Sequence, residues 1–303
     1  MKIVLIIIGI IFLCFFVVCI VSAVENRKLA VIRYRISSPK IPKSFQGCTI
    51  VVLADLHNAS FGTENERLLQ TIREQQPDYI LLAGDMIIGK PEQSTAVPAH
   101  LICELAKEYP VYYGKGNHEL RVGLYPDTYG DLWKNYQKKL EGKITWLVNE
   151  RVKLTRGADS IWLYGLDIAP CYYKRFQHRP MAPDYLKEVL GTPEQEDYKI
   201  LIAHNPDYFP EYAKWGADLV LSGHLHGGMV RLPWLGGMLS PMFRFFPKYD
   251  RGRFEEGDSV MLLSGGLGNH TFKFRVNNLP EILVITLDGE EDSGKKIGEA
   301  VEG

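Results

Sequence analysis

The stretch Thr49-Ile50-Val51-Val52-Leu53-Ala54-Asp55-Leu56-His57 sets an apolar run directly against two side chains able to bind a metal. The run has the length and composition of a buried strand. The same arrangement recurs along the chain. Tyr79–Ala83 leads into Gly84-Asp85, and Val111–Tyr113 into Gly116-Asn117-His118-Glu119. Lys199–Ala203 leads into His204-Asn205-Pro206, and Leu219–Ser222 into Gly223-His224-Leu225-His226. Side chains on loops at strand ends, along one edge of a sheet, can converge on one point. Imidazole nitrogens and carboxylate or carboxamide oxygens suit a divalent ion such as Zn, Mn or Fe. The pattern therefore predicts an enzyme with a metal site.

Each motif alone has a plainer explanation. Asp55-Leu56-His57 fits a strand-end turn, Gly84-Asp85 is an ordinary turn pair, and His204 fits a hydrogen-bonded core histidine. Gly223-His224-Leu225-His226-Gly227-Gly228 is the most specific of the set. Its glycines, with Gly84 and Gly116, allow tight turns and close approach where ligands crowd. His100 and His178 are expected on the surface or at helix starts. His270, in Gly265-Gly266-Leu267-Gly268-Asn269-His270, is on a loop that could approach the site and is expected to support the ligands from behind or serve structure rather than ligate.

The remaining pattern alternates strand and helix. Amphipathic helices are expected over Glu64–Gln75, Ala99–Lys107 and Tyr129–Leu140. Val152–Leu154 and Ile161–Tyr164 form a hairpin around the turn Arg156-Gly157-Ala158-Asp159. Tyr185–Leu190 and Asp207–Lys214 read as short helices, and Val260–Ser264 and Ile282–Leu287 as closing strands. The fold class is mixed α/β: a pair of mixed sheets packed together and flanked by helices. Residues 49–287 form that domain, 25–48 a polar stalk with a candidate edge strand at Ala30–Ile36, and 288–303 a polar tail without structure.

The chain has 303 residues, 46% hydrophobic and 23% charged, with a formal net charge of -1. No global basic field or long basic stripe invites nucleic acid. Cys14, Cys19, Cys48, Cys103 and Cys171 contain no CxxC pair, so neither a disulfide framework nor a cysteine zinc site is expected. Ile3–Val24 is an uncharged run of 22 residues, long enough to cross a bilayer as one helix. Val21-Ser22-Ala23 also resembles a signal-peptidase site. The apolar core exceeds a signal peptide's and the basic start is only Lys2, which favours a retained single-pass anchor. Arg27, Lys28, Arg33 and Arg35 would keep the following segment cytoplasmic, whereas a signal-like start argues the reverse.

The ordered set Asp-x-His, Gly-Asp, Gly-Asn-His-Glu, His and Gly-His-x-His, from Asp55 to His226, resembles the calcineurin-like metallophosphoesterase superfamily. The apolar start and His204-Asn205-Pro206-Asp207 are similar to its membrane-associated bacterial phosphodiesterases. The resemblance implies a four-layer sandwich and hydrolysis of a phosphoester at two divalent ions. It implies one ion on Asp55, His57 and His226, a second on Asn117, His204 and His224, and Asp85 between them. A shared carboxylate reduces the repulsion of two close cations, and a bridging hydroxide attacks phosphorus in line. His118 is then expected to protonate or stabilise the leaving oxygen, and Glu119 to orient an imidazole or support the ligands from behind.

Residues 231–254 combine Trp234, Leu235, Phe245 and Phe246 with Arg231, Arg244, Lys248, Arg251 and Arg253. Beside the last ligands, they suggest a basic, apolar lip that meets the membrane interface and admits a lipid-linked substrate. An insertion packed on its own core competes with that reading. Cys171-Tyr172-Tyr173-Lys174-Arg175-Phe176 is a second aromatic and basic loop, placed to hold a phosphate or to form a solvated turn. A nucleotide substrate is the other class considered. A membrane-tethered phosphate-binding module without turnover is the alternative to an enzyme, and the complete ligand set argues against it. Oligomeric state leaves no trace in the sequence.

Overall fold

The computed structural model describes residues 2–174, 177, 179–228, 230–232, 234–240, 245–269, 274–289 and 300–302. The chain opens with helix α1 (Lys2–Glu25), strand β1 (Ala30–Ser37), β2 (Thr49–Leu53), α2 (Glu66–Glu74), β3 (Tyr79–Ala83), α3 (Ala96–Ala106) and β4 (Val111–Gly114). Then come α4 (Asn117–Leu124), α5 (Pro126–Tyr129), α6 (Leu132–Leu140), β5 (Thr145–Leu147), β6 (Glu150–Arg156) and β7 (Asp159–Leu166). The second half holds α7 (Tyr185–Leu190), β8 (Lys199–Ala203), α8 (Phe209–Trp215), β9 (Leu219–Ser222), β10 (Arg231–Leu232) and β11 (Gly236–Gly237). It closes with β12 (Gly252–Glu256), β13 (Ser259–Leu263), β14 (Glu281–Asp288) and β15 (Ala300–Glu302).

Two mixed sheets carry the architecture, in the orders β15-β1-β14-β2-β3-β4-β5 and β12-β13-β9-β8-β7-β6. Residue parity along each strand builds the layers. Ile50, Val52 and Leu81 point inward and meet Ile200, Ile202, Leu219 and Leu221 between the sheets. Val51, Leu53 and Leu82 point outward against Leu68, Ile72 and Leu101 of the first helical layer. On the far side, Leu201, Val220 and Leu263 pack on Leu186, Phe209 and Tyr212. Helix, sheet, sheet and helix thus form the expected four layers, and near-continuous apolar strands are what two-sided burial requires.

Several local expectations shift. Residues 30–48 are no free stalk: β1 pairs in parallel with β14, and Ile36, Ile41, Phe45 and Cys48 enter the core between the sheets. The helix expected from Glu64 begins at Glu66, because Glu64 and Asn65 adopt φ of 53° and 63°. The one expected over Tyr129–Leu140 is split at Gly130, whose φ is 57°. The hairpin forms as expected, extended to β6 and β7. Residues 300–302 pair antiparallel with β1, so the C-terminal segment ends on the sheet edge; residues 290–299 lie outside the described residues. All five cysteines are free thiols.

α1 is the one described helix long and apolar enough to cross a bilayer, and its side chains are largely exposed except Ser22.

Candidate metal centre

β2, β3 and β4 run parallel in the first sheet, and β7, β8, β9 and β13 run parallel in the second. Their C-terminal ends therefore open onto one edge of the sandwich. That edge carries Asp55, His57, Asp85, Asn117 and His118 from one sheet and His204, His224 and His226 from the other, all buried. The chain must turn sharply to aim them inward. Asp55, His57, Asp85, His224 and His226 all have positive φ, between 46° and 75°. Such conformations cost non-glycine residues about 1 kcal/mol or more and persist where surrounding structure enforces them. Gly84, at φ 88°, has no side-chain option: a Cβ there would lie 2.6 Å from His204 Nδ1 and 2.7 Å from Gly116 Cα.

Three overlapping groups have ligand atoms close enough to share an ion: Asp55, His57 and His226; His57, Asp85 and His118; Asp85, His204 and His224. Asp55 Oδ1 lies 3.4 Å from His226 Nε2 and 3.8 Å from both His57 and His204 Nε2. Asp85 Oδ2 lies 3.1 Å from His204 Nε2, 3.8 Å from His57 Nε2 and 4.0 Å from His118 Nε2. His57 and His226 stack with ring centroids 5.0 Å apart.

The second ring nitrogen separates two kinds of histidine. Nδ1 of His57 faces Ile87 O at 3.3 Å, that of His204 faces Ala83 O at 2.7 Å, and that of His226 faces Gly268 O at 3.3 Å. A carbonyl accepts, so each Nδ1 carries hydrogen and, in the neutral ring, each Nε2 presents a lone pair to the cluster. His57 and His226 Nε2 then face one another at 3.1 Å, an arrangement a cation relieves. His118 is the opposite. The Gly89 N–H donates to its Nδ1 at 2.6 Å, so its neutral ring carries hydrogen on Nε2. In that tautomer the nitrogen is a donor, although proximity alone groups His118 with His57 and Asp85.

Electrostatics and unmet polar atoms fit a cation. Asn117 Oδ1, and Asp85 Oδ2 when His204 is neutral, are buried without a hydrogen-bond donor, each a cost of about 1–3 kcal/mol if left so. Burial pushes the Asp55 carboxyl up to about 7, against the pull of His204. Burial also opposes the charge on Asp85, but His204, His118 and His57 outweigh it and hold that carboxyl well below the usual range. His204 rises to about 10, because Asp85 outweighs the effect of its burial. A proton on His204 thus offsets the buried carboxylates, and a divalent ion would displace it.

Of the two roles expected for Glu119, its hydrogen bonds fit support of the ligands from behind rather than the orienting of an imidazole. Its Oε2 accepts from Asp85 N (2.8 Å) and Gly116 N (2.9 Å), and its Oε1 from Ile87 N (3.1 Å) and Tyr113 OH (2.8 Å). A fully buried carboxylate thereby ties the Asp85 loop to the start of α4. It acts on backbone because it occupies the third position of the helix whose first residue is Asn117.

Asp55, His57, Asp85, His204, His224 and His226 fall in the three overlapping groups, and so does His118; Asn117 is buried at the start of α4, next to His118. Of the other histidines, His100 is partly exposed and 3.9 Å from Glu64, while His178 and His270 lie outside the described residues. In the second aromatic loop Tyr173 meets the His224 ring edge-on at 5.4 Å; Arg175 and Phe176 are outside the described residues. The lip is apolar at its tips, where Trp234 is 101% and Phe245 70% exposed. Its arginines are less available than the sequence suggests: Arg231 pairs with Asp250, Arg251 with Glu281 and Arg253 with Glu255. Residues 241–244 lie outside the described residues. Sequence reading missed Gly89, which acts through its backbone, and Asn278, whose Nδ2 donates to His226 O at 2.7 Å. It also missed the largely buried Lys115–Asp167 pair joining the two sheets behind Asn117. A lone glycine, asparagine or lysine carries no signal of such a role.

A mixed two-sheet sandwich thus carries an Asp/His cluster able to hold a divalent ion at its parallel strand ends. The family model for calcineurin-like phosphoesterase matches residues 48–228, and the chain belongs to that family. It is a hydrolase of phosphoric esters with a divalent-metal cofactor. The chain is 26% identical over 285 residues to the uncharacterized metallophosphoesterase YkuE of Bacillus subtilis (strain 168), covering 87% of each. It is 26% identical over 254 residues to phosphodiesterase YaeI of Escherichia coli (strain K12), covering 78% of this chain and 81% of the relative. A Danio rerio transmembrane protein with metallophosphoesterase domain is 25% identical over 277 residues, covering 88% of this chain and 59% of the relative.

Proposed function

We propose that the chain is a phosphodiesterase or phosphatase with a binuclear centre, tethered to a membrane by α1. Asp55, His57 and His226 hold one divalent ion, Asn117, His204 and His224 the other, and Asp85 serves both. Mn, Zn and Fe all suit this donor set. The ions, when bound, supply Lewis acidity toward phosphoryl oxygens and acidify a water. His118 presents its Nε2–H to the leaving oxygen, held in that tautomer by the Gly89 N–H. The observation that carries this reading is the opposed tautomers: three rings with carbonyls at Nδ1, and His118 with an amide there.

Bis-p-nitrophenyl phosphate hydrolysis with added Mn tests it. The wild type should turn over. A wild type inert with every divalent metal tried would favour instead a tethered phosphate-binding module.

For the substrate we favour a lipid-linked phosphoester over a soluble nucleotide. Exposed Trp234, Leu235, Phe245 and Phe246 give the reason, on a segment whose Arg231 carbonyl accepts from Asn277, beside the end of α1. Apolar tips suit the membrane interface, on whichever side the domain lies. We also propose that α1 is retained. Ser22, inside the candidate cleavage motif, is buried against the domain. Intact mass of the protein from membranes should include residues 2–25; a mature chain starting near Val24 would refute retention.

A further inference from the structure

Arg275 is 1% exposed and the largest fully buried side chain described. Its guanidinium donates to Gly266 O (3.0 Å), Gly268 O (2.5 Å) and Asn278 O (3.2 Å), and its Nε to Asn269 Oδ1 (3.3 Å). An arginine is costly to bury, and here it is spent on the backbone of a loop. That loop touches the cluster. Gly268 O is the carbonyl facing His226 Nδ1, and the neighbouring Asn278 side chain holds His226 O.

The other side of the same segment grips the last turn of α1. Arg275 N donates to Ser22 Oγ at 2.9 Å. The Glu25 carboxylate accepts from Asn277 N at 3.0 Å and Asn278 N at 3.1 Å. Asn269 Nδ2 donates to Asn26 Oδ1 at 2.6 Å. Two routes therefore run from the helix to His226. One passes from Glu25 through Asn278 to the His226 carbonyl. The other passes from Ser22 through Arg275 and Gly268 to the His226 ring. Glu25 fixes two backbone amides whose spacing sets where the Asn278 side chain sits, and its charge also favours the buried Arg275 guanidinium.

We propose that the terminal turn of α1 is part of the metal site, with Ser22, Glu25, Asn26, Arg275 and Asn278 as positioning residues for His226. The inference rests on His226 being a metal ligand, and it makes the anchor more than a tether. Groups that orient a ligand histidine typically change metal affinity 10–100-fold when removed.

The test uses the full chain in nanodiscs, with Mn as probe. Mn binding is followed by electron paramagnetic resonance, and amide exchange by mass spectrometry. Glu25→Ala should weaken Mn binding on the order of 10-fold. It should also speed exchange of amides at 265–269 and 274–278, while β8 and β9 keep wild-type protection. Glu25→Gln, which keeps an acceptor oxygen, should recover part of both losses. Wild-type Mn affinity and wild-type exchange in Glu25→Ala would overturn the proposal. So would faster exchange across the whole domain with Glu25→Gln behaving as wild type in Mn binding and Glu25→Ala likewise. His226→Ala separates the two layers of argument. If it binds Mn like the wild type, the ligand assignment fails and the clamp with it. If it loses Mn while Glu25→Ala does not, the clamp alone fails.

Discussion

The two sheets hold their shares of the cluster by different means. On the first, the Asp85 loop and the start of α4, which carries Asn117 and His118, are laced together by one carboxylate, Glu119, and by Gly89. These partners all lie between residues 85 and 119. On the second, His224 N reaches back to the Asp55 carboxylate at 3.0 Å, and His226 depends on Gly268 and Asn278. Its supports are far apart in sequence and extend to α1. The first set of supports is thus local in sequence. The second joins segments more than 200 residues apart.

Breaking each half should look different. Asp85→Asn strikes the group that both halves share. Metal analysis should show loss of occupancy and turnover should fall to background; retention of two ions would contradict the shared role. Next in size is His118→Ala, which on the proposed role as proton donor should keep the metals and lose about 10²–10⁴-fold in rate. A variant that lost metal instead would reclassify His118 as a ligand.

Glu119→Ala tests the local set. It strands the N–H groups of Asp85, Ile87 and Gly116 in the core, and should destabilise the domain by about 3–5 kcal/mol. Chemical denaturation would register this, and a stability equal to wild type would mean that the loops are held otherwise. Asn278→Ala should do less to stability, about 1–2 kcal/mol, and show mainly as weaker metal binding. The smallest effect belongs to the lip. Trp234→Ser should leave hydrolysis of a soluble ester unchanged and remove part of the fluorescence quenched by brominated lipids. Quenching equal to wild type would place that tip away from the bilayer.

The contrast also explains what the sequence disclosed. Strand-end ligands were legible because each follows its own apolar run, and parity along Ile50–Leu53 or Ile200–Ala203 assigns the layers directly. Their order from Asp55 to His226 carried the family. Supports acting through backbone left little trace. The Gly89 amide and the carbonyls of Ile87, Ala83 and Gly268 are independent of side-chain identity. Arg275 reads as any surface arginine until tertiary contacts bury it. Stops at Gly130 and at Glu64-Asn65 depend on φ values that periodicity does not encode.

The central claim is a pair of divalent ions sharing one aspartate. Anomalous X-ray scattering from crystals of the full chain, grown with Mn, measures it directly. The account predicts two anomalous peaks with Asp85 in contact with both, one beside Asp55, His57 and His226 and the other beside Asn117, His204 and His224. A single peak, or peaks away from Asp85, would contradict it.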